Sequence, residues 1–126
     1  MTKILVAEDE RDIRDLIAFT LRFAGFEVEL AMNGQEAVEK AMQVKPDLIL
    51  MDVRMPKQTG YEACRVLKTR EALVAVPVVF LSAKGQESEI SKGMSVGGTD
   101  YILKPFAPDD LIKQVRRILA EHGNLA

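Results

Sequence analysis

Apolar positions along this chain fall into two alternating kinds of segment. Ile4-Leu5-Val6-Ala7, Leu48-Ile49-Leu50-Met51 and Val78-Val79-Phe80-Leu81 are unbroken apolar runs. Runs of this kind predict strands covered on both faces, as in a parallel sheet. Phe26, Val28 and Leu30 instead alternate with Glu27 and Glu29, which predicts a more exposed, edge-like strand. Tyr101-Ile102-Leu103 predicts a last, short one. Between these runs the spacing becomes helical. Ile13, Leu16, Ile17, Leu21 and Ala24 share one helical face, and Gly25 is placed to end it. Asn33-Gly34 reads as a turn before a helix carrying Ala37, Val38, Ala41 and Met42, which Pro46 stops. A loop through Pro56 and Gly60 leads to a helix with Ala63, Cys64 and Leu67. A weaker helix follows over Glu87 to Val96, and the last carries Leu111, Ile112, Val115, Ile118 and Leu119. Five strands alternating with five helices predict an α/β fold, a doubly wound parallel sheet with helices on both faces. Right-handed crossovers limit its strand order to a few possibilities.

The polar residues that end these runs carry the chemistry. Glu8 and Asp9 follow the first strand, Asp52 the third, Ser82 the fourth and Lys104 the fifth. In a parallel sheet these ends share one edge, where open α/β folds bind their ligands. Three carboxylates brought together there repel, by about 4 kcal/mol per pair at 4 Å and an effective dielectric near 20. A hard divalent cation relieves that, and an oxygen-only donor set with few protein groups suits Mg²⁺. Lys104 adds a positive charge and Ser82 a hydroxyl donor. Metal, ammonium and hydroxyl around a carboxylate are the parts that electrostatic catalysis of phosphoryl transfer uses. The carboxylate itself is a nucleophile able to become an aspartyl phosphate.

Composition narrows the class further. A chain of 126 residues, 48% hydrophobic and 29% charged, has the length and balance of one globular domain. Its 17 basic and 19 acidic residues give a formal net charge of −2, so no bulk attraction for nucleic acid or an anionic membrane is expected. The longest apolar stretch, Ala72 to Leu81, is interrupted by Pro77 and is too short to span a bilayer. No secretory signal is recognisable at Met1-Thr2-Lys3. Cys64 has no second cysteine to pair with, which fits a reducing, cytoplasmic setting.

Taken together, Glu8-Asp9, the segment from Asp52 through Met55-Pro56 to Gly60, the pair Ser82-Ala83, and Thr99-Asp100-Tyr101 followed by Lys104-Pro105-Phe106 resemble the receiver domain of two-component response regulators. The resemblance spans essentially residues 1–126 and implies a flavodoxin-like (βα)5 fold with strand order 2-1-3-4-5. It implies that Asp52 is the phosphoacceptor for a phosphohistidine on a sensor histidine kinase or phosphotransfer protein. Asp9 and Asp52 would ligate Mg²⁺ directly, Glu8 through water, and Arg54 through its backbone carbonyl. Ser82 and Lys104 would hold phosphoryl oxygens, with Lys104 aimed by a cis bond to Pro105. Tyr101 would be the switch aromatic that follows Ser82 inward. The fourth helix, fifth strand and fifth helix would form the output surface, acting on a downstream protein target, on an output domain or through a phosphorylation-dependent homodimer. Such a domain catalyses its own phosphorylation and dephosphorylation without being a conventional enzyme. Arg54 and Lys84, two residues past Asp52 and Ser82, stand where the family tunes phosphoryl lifetime.

Plainer readings stand beside these. A Glu-Asp pair before a helix is ordinarily a favourable N-terminal charge, and Ser82 alone would be a helix cap. Cys64 reads as a small core residue, the methionines other than Met55 as core filler, and His122 as a solvated cation at a helix end. Lys113, Arg116 and Arg117 read as a solvated face or a partner contact, and Gly97-Gly98 as a loosened turn. Competing functions are an aspartate-nucleophile phosphatase, a flavodoxin-type flavin carrier and a non-phosphorylated docking receiver. The first wants a second aspartate where Arg54 stands. The second wants a Gly/Ser/Thr-rich phosphate loop where Glu8-Asp9-Glu10 stands.

Overall fold

The computed structural model describes residues 2–55, 58–83 and 87–122. Pro56, Lys84 and Asn124-Leu125-Ala126 lie outside them. Ten elements alternate as the hydrophobic pattern predicts: β1 (Lys3–Ala7), α1 (Arg11–Phe23), β2 (Glu27–Ala31), α2 (Gly34–Val44), β3 (Leu48–Asp52), α3 (Gly60–Leu67), β4 (Val78–Ala83), α4 (Glu87–Ser95), β5 (Asp100–Lys104) and α5 (Pro108–Glu121). All strand pairings are parallel, and the order is β2-β1-β3-β4-β5. The chain reverses its direction of winding between β1 and β3, so Asp9 and Asp52 flank the switch point of the sheet.

Successive residues of a strand point to opposite faces, and the core divides accordingly. Ile4, Val6, Leu48, Leu50, Val79 and Leu81 pack beneath α1 and α5. Leu5, Ala7, Ile49, Met51, Val78 and Phe80 pack beneath α2 and α3. The alanines of α2, Ala37 and Ala41, bring that helix close to the sheet. Leu73, in the turns between α3 and β4, joins the second cluster without belonging to any periodic run.

Four sequence expectations change. Asn33-Gly34 is the start of α2 rather than a separate turn: the Asn33 side chain caps the Glu36 amide at 2.8 Å. Leu16, Met42 and Met94 are about half exposed, because their helices rotate them off the buried stripe, and Met32 is exposed in a loop. Gly97 and Gly98 tighten the turn before β5. Gly97 adopts a left-handed conformation, φ +103°, and a Cβ on Gly98 would lie 2.4 Å from the Phe80 ring. The basic run on α5 is divided, since Arg117 binds Asp100 and Glu121 while Arg116 reaches the Ala24 carbonyl. Cys64 is buried, and its thiol, pushed up to about 11 by burial, faces the Val96 carbonyl. His122 caps the end of α5 in an exposed position. No helix among the described residues is long and apolar enough to cross a membrane.

Candidate functional site

Strand ends deliver the candidate residues to one edge. Glu8 follows β1, and its amide donates to the Ala31 carbonyl of β2 at 3.0 Å. Asp52 closes β3, opposite Leu81 of β4. Ser82 lies in β4 opposite Leu103, and Lys104 closes β5 opposite Ala83. Hydrogen-bonded backbone therefore fixes the spacing of all four before any side chain is considered.

Carboxylate oxygens of Glu8, Asp9 and Asp52 lie within 4.8 Å of one another. Glu8, Asp52 and Ser82 are buried, while Asp9 is exposed at the mouth. The Lys104 ammonium bridges the buried pair, 3.1 Å from Glu8 Oε1 and 3.2 Å from Asp52 Oδ1. Burial pushes the Glu8 carboxyl up to about 7, aided by hydrogen bonding and repulsion from Asp52 and opposed by Lys104. Burial works against the Lys104 cation, yet Asp52 and Glu8 outweigh it and hold the ammonium above its usual range. Three converging carboxylates with one cation are underbalanced, and their hard oxygen donors fit a divalent ion such as Mg²⁺.

Described residues beside the strand ends are also tied to main chain. Gly60 opens α3 against the end of β3, its amide bonding the Val53 carbonyl at 3.1 Å. A Cβ there would sit 2.3 Å from the Asp52 carbonyl oxygen, so glycine is what allows the approach. Thr59 and Glu62 form a reciprocal capping box at the start of α3. Arg14 reaches back from α1 to the carbonyls of Glu8 (2.9 Å) and Asp9 (3.3 Å). Sequence reasoning missed both devices. The Thr59-x-x-Glu62 spacing was a readable signal, whereas Arg14 had none beyond its position one turn into the helix.

Outside the acidic pocket, Arg54 is exposed and lines a cleft of about 810 Å³ with Asp9, Met55, Tyr61, Arg65 and Lys92. Tyr101 sits on β5 opposite Phe80, half-buried against the second core cluster. The Lys104–Pro105 peptide bond is cis.

Comparison with known proteins agrees with this geometry. The profile of the family described as response regulator receiver domain matches residues 4–116. The phosphate regulon transcriptional regulatory protein PhoB of Pseudomonas aeruginosa is 42% identical over 120 residues, covering 95% of this chain and 52% of that protein. The transcriptional regulatory protein ResD of Bacillus subtilis is 39% identical over 118 residues, covering 94% and 48%. This chain thus spans about half the length of the curated relatives it matches. Among solved structures, the chemotaxis protein CheY4 of Vibrio cholerae superposes with a TM-score of 0.90 at 35% identity, covering 94% of this chain and 99% of that one. The receiver domain of NtrX from Brucella abortus gives 0.85 at 31% identity, covering 93% and 98%.

Proposed function

The chain belongs to the response regulator receiver domain family of bacterial two-component signalling, and from that premise we propose that Asp52 is its phosphoacceptor. The observation that carries this reading is the buried Asp52 carboxylate with Lys104 at 3.2 Å and two further carboxylates beside it. A carboxylate oxygen of Asp52 attacks the phosphorus of a phosphohistidine on a sensor histidine kinase or phosphotransfer protein. The P–N bond breaks, and the imidazole leaves with its electron pair. Lys104 and the Ser82 hydroxyl bind oxygens of the transferred group, where charge concentrates. Asp9 and Asp52 would hold Mg²⁺, with Glu8 acting through water and Arg54 through its carbonyl. Bound there, the ion supplies neutralisation of the phosphoryl charge.

The product adds about −1.5 to −2 charge to a pocket that Lys104 and a bound Mg²⁺ would otherwise balance. Ser82 and Lys104 are drawn to that charge, and Tyr101 follows Ser82 inward. The α4-β5-α5 surface thereby changes packing and is read by a downstream protein, an output domain or a second copy. A cytoplasmic setting follows from the phosphohistidine donor, which such kinases present in that compartment.

Intact mass after incubation with Mg²⁺ and acetyl phosphate tests the reading. One added phosphoryl group, absent from Asp52→Asn and in EDTA, is expected. No added mass with acetyl phosphate or with a phosphorylated histidine kinase would leave a docking receiver instead.

A further inference from the structure

Glu8, Asp9 and Asp52 bring carboxylate oxygens within 4.8 Å of one another, but the three are not held alike. Glu8 accepts from the Lys104 ammonium at 3.1 Å and from the Glu10 amide at 3.2 Å. Asp52 lies 3.2 Å from the same ammonium. Asp9 is exposed, and among the described residues no hydrogen bond or ion pair fixes its carboxylate. The aim of that side chain is therefore set by the main chain that carries it.

One nitrogen controls that main chain. Arg14, half-buried one turn into α1, donates through Nη1 to the Glu8 carbonyl at 2.9 Å and to the Asp9 carbonyl at 3.3 Å. These carbonyls belong to the two peptide planes that meet at the Asp9 Cα. Only φ and ψ turn one rigid plane against the next, so holding both planes fixes the direction of the Asp9 Cα–Cβ bond. The second plane is also held at its other end, because its N–H is the Glu10 amide that donates to Glu8. The Arg14 amide takes the next carbonyl, that of Glu10, at 2.9 Å. Arg14 thus binds three successive carbonyls of the loop that carries the acidic residues. No side-chain cap shares the task, since Glu10 occupies the N-cap position of α1 without making a cap bond.

We propose that Arg14 is a positioning residue for the divalent cation: by fixing the two peptide planes around Asp9, it keeps that carboxylate in ligating position before the ion arrives. The proposal rests on the reading of Asp9 as a direct Mg²⁺ ligand, and Arg14 acts through Asp9 rather than on the ion. Without the guanidinium, ion binding must itself order the Asp9 backbone, and affinity falls by the entropy of that ordering. Groups that orient a metal ligand from behind change metal affinity by about 10- to 100-fold. Lysine does not replace arginine here, because one ammonium on a flexible stem lacks the rigid fork that spans two carbonyls.

Amide shifts followed by nuclear magnetic resonance, as Mg²⁺ is titrated into metal-free protein without phosphodonor, test it. Arg14→Met keeps the aliphatic stem and is expected to raise the Kd for Mg²⁺ about tenfold. Arg14→Lys is expected to fall between parent and Arg14→Met, and it carries the comparison if Arg14→Met does not fold. Thermal melts in EDTA check that each variant is folded at the titration temperature. Asp9→Asn weakens binding by itself, and adding Arg14→Met to Asp9→Asn is expected to weaken it little further, because the two act through one ligand. Equal losses from Arg14→Met in the presence and absence of the Asp9 carboxylate overturn the proposal, since a general loosening of the fold behaves that way. A parent that binds Mg²⁺ through Asp9, with Arg14→Met and Arg14→Lys binding as tightly, overturns the role of Arg14 and leaves the metal site standing. A parent whose shifts ignore Mg²⁺, or whose binding ignores Asp9→Asn, overturns the reading of Asp9 and the proposal with it.

Discussion

Two halves of the sheet edge are built differently. Around β1 and β3, in the middle of the sheet, every residue of β3 is buried, and main-chain bonds tie Glu8 to Ala31 and Gly60 to Val53. Around β4 and β5, the outer strand has Ile102 as its buried centre and half-buried residues on either side. The obstacles to change differ as well. An added methyl at Gly60 meets the Asp52 backbone at 2.3 Å, whereas one at Gly93 in α4 meets the Phe80 ring at 2.7 Å. A strand end has nowhere to go, but a ring can tilt. Backbone ladders hold both halves, but the close neighbour at Gly60 is main chain of β3, whereas the one at Gly93 is a side chain.

The sharpest way to break this contrast is Gly60→Ala. It is expected to cost at least about 3 kcal/mol in urea unfolding and to abolish phosphorylation by acetyl phosphate, since the β3 end must shift. Retained stability and activity would mean that the inner half is as pliant as the outer.

Next in size is a pH effect centred on Glu8. The folded Glu8 carboxyl titrates near 7, above its unfolded value of 4.5. Its neutral form is favoured in the fold, so this contribution is full below pH 4.5 and is lost as pH rises through 7. In EDTA, the protein is expected to lose about 3 kcal/mol over that window relative to Glu8→Gln. Mg²⁺ at the proposed site would compete with the proton, so its stabilising effect is expected to grow as pH increases. Parallel pH curves for parent and Glu8→Gln would show that Glu8 is not held by burial.

Gly93→Ala should cost only about 1 kcal/mol, because the Phe80 ring absorbs the added methyl. A cost equal to that of Gly60→Ala would erase the distinction between the halves. The smallest effect expected is at Cys64, which joins α3 to the Val96 carbonyl. Its buried thiol should resist iodoacetamide at pH 8 in the native protein and react fully in denaturant, as read by mass.

Nearly all of the fold was legible, because β1, β3 and β4 are continuous apolar runs and β2 alternates as an edge strand should. The strand-end residues were legible for the same reason, since a polar residue closing a buried run stands out. What escaped was non-periodic. Leu73 packs from a series of turns, and periodicity is silent there. Arg14 holds two main-chain carbonyls, a contact that depends on how α1 is set against β1. Spacing put Leu16 on the inward stripe of α1, yet it sits at the stripe's edge, about half exposed. Gly97-Gly98 read as looseness, whereas Gly97 takes a left-handed turn and Gly98 admits the Phe80 ring.

Pairing order across the sheet has a consequence for how the molecule comes into being. The edge that gathers Glu8, Asp52, Ser82 and Lys104 draws on four strands spread over most of the chain. During synthesis at about 5–20 residues per second, the acidic residues emerge well before the lysine that bridges Glu8 and Asp52. A nascent chain lacking β5 therefore has the carboxylates without the ammonium that bridges Glu8 and Asp52. On the proposed function, competence waits until Lys104 docks between Glu8 and Asp52.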